Sequence, residues 1–264
     1  MTFLQALVLG VLQGVTEFLP VSSSGHLALV QSLFQDFEQP GLLYDTMLHA
    51  ATMLAIFFFF RKRMLRLFKA VLGIFLAKYN VCYYEEKNLL AGIVIATIPT
   101  GIIGYLLKDY AQAVFEKPAV VGYCLIITSL MLFLADSQIK RGKISPIKSL
   151  LVGISQGLAV FPGISRSGTT IFVGLKAGIS REDTAEFSFL ISIPAILGAT
   201  LLQLRHIDEV TSSSGWFNYI AGMTAAFIFG VLSIRLILGI VKSAKMSIFA
   251  IYCLIIGISA IVWL

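Results

Sequence analysis

Two short stretches hold the residues of this chain best suited to chemistry. The first, QGVTEFLPVSSSGH (13–26), contains one carboxylate, Glu17, one imidazole, His26, and three successive hydroxyls, Ser22, Ser23 and Ser24. The second, QGLAVFPGISRSGT (156–169), places Arg166 between Ser165 and Ser167 and is followed by Thr170. Serine ahead of a helical run is a good N-cap. A helix N-terminus presents free N–H groups and the positive end of the dipole, so it holds phosphate readily. Arg166 adds a planar, permanently charged fork suited to phosphate oxygens. Two such helix starts and an arginine make a site for a multiply charged phosphate group. The residues expected to bind it are Ser22, Ser24, Gly25, Gly163, Ser165, Ser167 and Thr170.

Gln13 and Glu17 are four residues apart and share one helical face. Oxygen ligands of this kind suit Mg²⁺ or Ca²⁺, which also engage phosphate oxygens. An imidazole such as His26 titrates near neutrality by default and can move a proton at working pH. His49 lies inside an apolar segment between Asp45 and Thr52 and reads as a packing residue. Plainer readings stand beside these: capping for the serines, packing for His26, and a structural ion pair for Glu17 and Arg166.

The elements that must position these residues are set by a bilayer. Hydrophobic residues make up 58% of the 264, charged residues only 13%, and the mean hydropathy is +0.90. A soluble domain carries about a quarter charged residues. Six segments read as full spans: 43–60, 88–107, 118–135, 185–204, 217–240 and 247–264. Residues 2–34 and 147–176 are apolar but interrupted, by Pro20 with the serine run and by Pro162–Gly163 with Ser-Arg-Ser-Gly. After the second break only 167–175 remain before Lys176. Nine helical residues cover about 14 Å, against a hydrocarbon core of ~30 Å. Both segments therefore read as re-entrant hairpins, and non-helical backbone at depth implies a cavity around it.

The net charge of +6 invites a nucleic-acid reading, but the basic residues sit between apolar spans. With the loop 61–87 in the cytoplasm, alternation places 15 lysines and arginines on that side and 3 on the other. The positive-inside rule favours this orientation, which puts both termini outside. The three cysteines suggest neither a metal site nor a disulfide framework. No signal peptide is expected, since the first segment lacks a basic region and a cleavage site.

The two motif stretches align without gaps at an offset of 143, matching at six of fourteen positions. Each half, 1–136 and 137–264, then holds one hairpin and three spans within a single membrane domain. An odd number of spans inverts the second half. The expected fold is an all-α polytopic membrane protein: six transmembrane helices and two re-entrant hairpins in an inverted-topology repeat. Such repeats place polar sites where broken helices meet.

The chain resembles the undecaprenyl-diphosphatase, or bacitracin-resistance, family. The resemblance rests on QGVTE (13–17), PVSSSGH (20–26) and PGISRSGTT (162–170), and extends over essentially the whole length. It implies removal of the terminal phosphate from undecaprenyl diphosphate, aided by a divalent cation, at the outer (periplasmic) face of the bacterial cytoplasmic membrane. The product re-enters the carrier-lipid cycle for peptidoglycan and other wall polymers. Carried onto this chain, the family's important positions are Glu17, Ser23, His26, Ser165 and Arg166. Many members have glutamate where this chain has Gln13; an amide can ligate a metal but cannot be a base. Ser23 as nucleophile and Ser23 as phosphate ligand with water attacking both remain open. Membrane phosphatidate-type phosphatases are a poor match: counting from Ser165, their nucleophilic histidine position is Phe172, and no Arg-Pro dipeptide occurs. A transporter or flippase of a lipid phosphate or small anion is the alternative, and a wall-synthesis scaffold a third reading. Expected partners are the isoprenoid lipid, membrane lipid and a second copy in a homodimer; nucleic acid is not expected.

Overall fold

Prolines and capping serines decide where the first and seventh helices stop. α1 (Phe3–Thr16) opens on a capping box between Thr2 and Gln5 and ends before Pro20; α2 (Ser23–Ser32) restarts behind Ser22. The second interrupted segment repeats this: α7 (Pro146–Leu158) has proline at its start, and α8 (Arg166–Lys176) restarts behind Ser165. The two interrupted segments begin their helices 143 residues apart, at Phe3 and Pro146 and at Ser23 and Arg166. Between and after them run α3 (Leu43–Phe59), α4 (Arg61–Leu72), α5 (Asn80–Phe115), α6 (Pro118–Ala135), α9 (Arg181–Gln203), α10 (Ser213–Lys242) and α11 (Ser247–Trp263). These elements belong to a computed structural model that describes residues 1–34, 37, 42–135, 142–203, 213–242 and 246–264. The boundary between halves at 136/137, and the cations Lys140, Arg141, Arg205 and Lys245, lie outside the described residues.

Among the described residues, four stretches are long and apolar enough to cross a membrane: Glu86–Phe115, Pro118–Ala135, Arg181–Gln203 and Trp216–Val241. A fifth results if α3 and α4, bent by 86°, count as one span; α1 and α11 are shorter apolar helices. The chain is thus a multi-pass helical membrane protein with its polarity turned inward. Ile102, Leu106, Leu130, Leu232 and Ile255 face outward, whereas Gln13, Glu17, Ser23 and Asp45 are buried. The segment 61–87 is not the loop its charges predict: α4, a short 3₁₀ turn (Ala77–Tyr79) and the start of α5 fill it with helix. The reason is amphipathic spacing. Leu67 and Ala70 bury one face of α4, while the run from Arg61 to Leu72 contains neither glycine nor proline.

Small residues set how closely these helices approach. In lipid, close backbone contact replaces the hydrophobic effect as the driving force. Gly10 and Gly14 of α1 lie against Gly222 and Ala226 of α10; a Cβ at Gly14 would come within 2.6 Å of the Ala226 carbonyl oxygen. Their counterparts on α7, Gly153 and Gly157, lie against Ala96 and Ile103 of α5. α1 therefore packs closely on α10, and α7 on α5. α6 and α11 meet reciprocally: a Cβ at Gly122 would be 2.7 Å from Gly257 O, and one at Gly257 would be 2.8 Å from Gly122 O.

Candidate active site

The two helix breaks touch. The Gly163 N–H donates to Ser22 Oγ at 3.0 Å, and Ser167 Oγ donates to Leu19 O at 3.0 Å. A Cβ on Gly25 would sit 2.8 Å from Gly163 N. α6 ties down the second break: Thr128 Oγ1 donates to Gly163 O at 2.8 Å and accepts from Ser165 N–H at 3.0 Å. α11 ties down the first, through Tyr252 against His26 and Cys253 beneath Pro20 O. Backbone strain marks the same place: Ser22 has φ +68° and Gly163 φ +94°. A left-handed non-glycine residue is uncommon. Ser22 is held there because its hydroxyl accepts both the Gly25 and the Gly163 N–H.

Glu17 sits at the C-terminal end of α1, with its side chain 3% exposed. One oxygen, Oε1, takes Arg166 Nη2 at 2.5 Å. The other, Oε2, accepts Ser23 Oγ–H at 2.6 Å and Gln13 Nε2–H at 2.9 Å, and lies 3.1 Å from His49 Nδ1. An isolated carboxylate within a membrane costs ~2.5–3.5 kcal/mol on insertion scales, and these contacts offset that cost. Gln13 Nε2 is also 2.9 Å from His49 Nδ1. The distances suit two proton arrangements: the amide bridges Glu17 and a neutral imidazole, or Nδ1–H donates to Glu17 directly.

At the offset of 143, Ser23 and Arg166 are counterparts, each the first residue of a helix behind a capping serine. One half supplies a hydroxyl there and the other a guanidinium. Both meet on the same carboxylate, which has no counterpart in the second half, where Val160 stands. Arg166 Nη1 also points at Ser188 O of α9, at 3.5 Å. Its side chain is 18% exposed and that of His49 27%, so the cluster can be approached from those two residues.

Of the residues expected from sequence, Gln13, Glu17, Ser23 and Arg166 form one bonded cluster. Ser22 and Ser165 cap their helices through the Gly25 and Gly168 N–H groups. Ser167 ties to Leu19, and half-buried Ser24 has its hydroxyl 3.5 Å from that of Ser22. Thr170 is one turn along α8, its hydroxyl 2.6 Å from Ser188 Oγ. His26 turns away from Glu17: Nδ1 bonds to Ser22 O and Nε2 to Tyr252 Oη, both at 2.8 Å, with the rings stacked. Sequence reasoning missed His49 as a member of the cluster, and Ser188 and Tyr252 altogether. The available signal for His49 was an imidazole inside an apolar span, an expensive residue to place there without a partner.

Among the described residues, no group of three or more His, Cys, Asp and Glu is arranged to hold a metal ion. Gln13 Oε1 is nonetheless buried without a hydrogen-bond partner beside Glu17. Mg²⁺ is commonly held by one or two carboxylates, with substrate phosphates and water completing its shell. Gln13 turns Nε2 rather than Oε1 to Glu17, so the two residues fit a cation shared in that way only with the amide reversed, and they do not fit an all-protein cage.

Residues 6–259 match the family model described as "Bacitracin resistance protein BacA". Similar proteins include the undecaprenyl-diphosphatase of Methanosphaera stadtmanae, 43% identical over 98% of this chain and 97% of that one. Those of Treponema denticola and Syntrophotalea carbinolica are each 41% identical, over 98% and 97% of this chain and 96% and 97% of theirs.

Proposed function

The chain belongs to the bacitracin-resistance BacA family, and from that premise we infer that it is an undecaprenyl-diphosphatase. It hydrolyses undecaprenyl diphosphate to undecaprenyl phosphate and inorganic phosphate, serves cell-wall synthesis and confers bacitracin resistance. The transporter reading is not favoured, because the curated relatives are named as diphosphatases.

Our reading of the mechanism rests on one observation: Ser23, Glu17 and Arg166 form a continuous contact chain across the two breaks. A nucleophile within hydrogen-bond reach of a base is the arrangement covalent catalysis needs. Arg166, with the capped helix starts behind Ser22 and Ser165, grips the diphosphate. Ser23 Oγ attacks the terminal phosphorus while its proton passes to Glu17 Oε2. The bond from that phosphorus to the bridging oxygen breaks, and undecaprenyl phosphate leaves. Water then attacks the phosphoserine, the Oγ–P bond breaks, the proton held on Glu17 returns to Ser23 Oγ, and inorganic phosphate leaves with the two hydrogens of that water. Gln13 and His49 hold the Glu17 oxygen that faces Ser23. His26 and Tyr252 hold the strained Ser22 turn, and so the direction in which α2 presents Ser23. With the Gln13 amide reversed, Glu17 and Gln13 Oε1 would hold a divalent cation, Mg²⁺ or Ca²⁺, which would supply charge neutralisation of phosphate oxygens.

We place the protein in the cytoplasmic membrane as an inverted repeat of six spans and two re-entrant hairpins. Both termini lie outside, and the site faces the outer side. Helix lengths support the hairpins: α1, α2, α7 and α8 have 14, 10, 13 and 11 residues. At ~1.5 Å per residue none spans ~30 Å. The crossed packing of each hairpin on the other half's long helix, and the reciprocal Gly122–Gly257 contact, support the two-fold relation.

The decisive experiment is a single turnover in detergent with label in the terminal phosphate. Label should appear on Ser23, decay on chase, and be absent from Ser23→Ala together with phosphate release. Native-rate release by Ser23→Ala would reject the nucleophile and leave water as the attacking group.

A further inference from the structure

We propose that the elbow between α3 and α4 binds the headgroup of an anionic phospholipid. α4 leaves α3 at 86° and presents three kinds of surface. Leu67 and Ala70 are buried against the protein. Leu65, Phe68 and, just beyond the helix, Phe75 are 59, 63 and 81% exposed. Arg61, Lys62, Arg66 and Lys69 are exposed cations on the same helix.

A cleft at the elbow is lined by Arg61, Lys62, Arg63, Arg66 and Glu186 together with Phe59 and Phe60. Arg63 serves the protein's own carboxylates: Nη1 is 2.5 Å from Glu86 Oε1, and Nε is 2.7 Å from Glu186 Oε1. Arg66 Nε reaches Glu86 only at 3.7 Å. Four cations face two carboxylates, so the elbow keeps an excess of positive charge beside an exposed apolar ridge.

That pairing selects the occupant. A helix with an apolar face and a basic face lies in the membrane interface, and clustered Lys and Arg attract anionic headgroups. A soluble anion would satisfy the cleft but leave Phe68 and Phe75 uncovered. A phospholipid satisfies both, with phosphate in the cleft and acyl chains along the ridge. The elbow is distinct from the Glu17 cluster but shares two helices with it. α3 carries His49, and α9 carries both Glu186 and Ser188, so a bound lipid braces elements that hold the site.

The test is lipid competition on purified full-length protein, read by native mass spectrometry with phosphatidylglycerol against phosphatidylcholine. Clustered cations add to the attraction for an anionic headgroup, so removing three lowers the preference by roughly a hundredfold. The native protein should retain phosphatidylglycerol preferentially. The combined Arg61→Gln, Lys62→Gln, Arg66→Gln variant should lose that preference while still releasing phosphate from an isoprenyl diphosphate in detergent. Lys62→Glu alone, a surface change that leaves the fold intact, should weaken it measurably. Equal retention by native protein and both variants overturns the assignment. So does displacement of the lipid by millimolar inorganic phosphate, which would make the elbow a site for soluble anions.

Discussion

Replacing Arg166 with alanine tests the proposed site most directly. Among the described residues the guanidinium holds Glu17 Oε1, at 2.5 Å, while Oε2 keeps Ser23, Gln13 and His49. Removing one member of a buried ion pair costs about 3–5 kcal/mol. The three remaining contacts, and the 18% exposure of Arg166, put the stability loss at the lower end, about 3 kcal/mol. The effect on turnover is separate. Loss of a single aligned donor to a developing negative charge lowers kcat by roughly 10²–10³, and Arg166 brings a charge as well as a donor. Phosphate release should fall by about 10³ or more. Arg166→Lys should recover little of it, because a point charge cannot hold Glu17 and phosphate with one planar fork. The assay is phosphate release in detergent beside thermal unfolding of the same samples. A Glu17→Gln, Arg166→Ala double variant should be scarcely worse than the poorer single variant, since groups acting as a unit are not additive. A folded Arg166→Ala protein turning over within threefold of native would refute the clamp.

Gln13→Glu sets a second carboxylate beside Glu17; without metal it should lower the unfolding temperature. With Mg²⁺ it should gain more thermal stabilisation than the native protein, and calorimetry should show tighter binding. His49→Ala removes a neighbour of the Glu17 oxygen that faces Ser23. It should lower kcat by about tenfold, on the order of 1.4 kcal/mol, with KM nearly unchanged, and His49→Gln should restore part of the loss. Gly163→Ala must hold a side chain at φ +94°, its Cβ 2.5 Å from that of Cys124. Strain of ~1–3 kcal/mol should appear as a lower unfolding temperature and weak activity. Tyr252→Phe removes the hydrogen bond to His26 Nε2 but keeps the stacked ring. It should reduce activity severalfold, and native activity in that variant would leave His26 without a need for this partner.

A bilayer makes part of this protein readable without coordinates. It requires apolar spans, so every polar residue within them stands out. α6 begins and ends at the expected residues, 118 and 135, and the hairpin helices lie inside the expected 2–34 and 147–176 apart from Pro146. The breaks fall at Pro20 and Pro162, where proline disfavours the helix and the following serines cap the next one; proline alone does not decide, since Pro99 and Pro194 lie inside α5 and α9. The repeat was visible because its matches fall on scarce polar positions. Glu17, Ser23 and Arg166 were singled out for the same reason. The stretch 61–87 was misread because charge density there outweighed a period that only burial of Leu67 and Ala70 makes decisive.

The sequence by itself determined the apolar helices outside 61–87, their two interruptions and the rarity of the charges set there. These are local matters of hydropathy, proline geometry and capping. Only the tertiary structure decided which charges meet. It is packing of the two helix breaks against each other that brings Ser23 and Arg166, 143 residues apart, onto one carboxylate. Packing also brings His49 to that carboxylate and turns His26 toward Tyr252. An imidazole in an apolar helix can serve as packing or as a site member, and the choice rests on what the neighbouring helices place beside it.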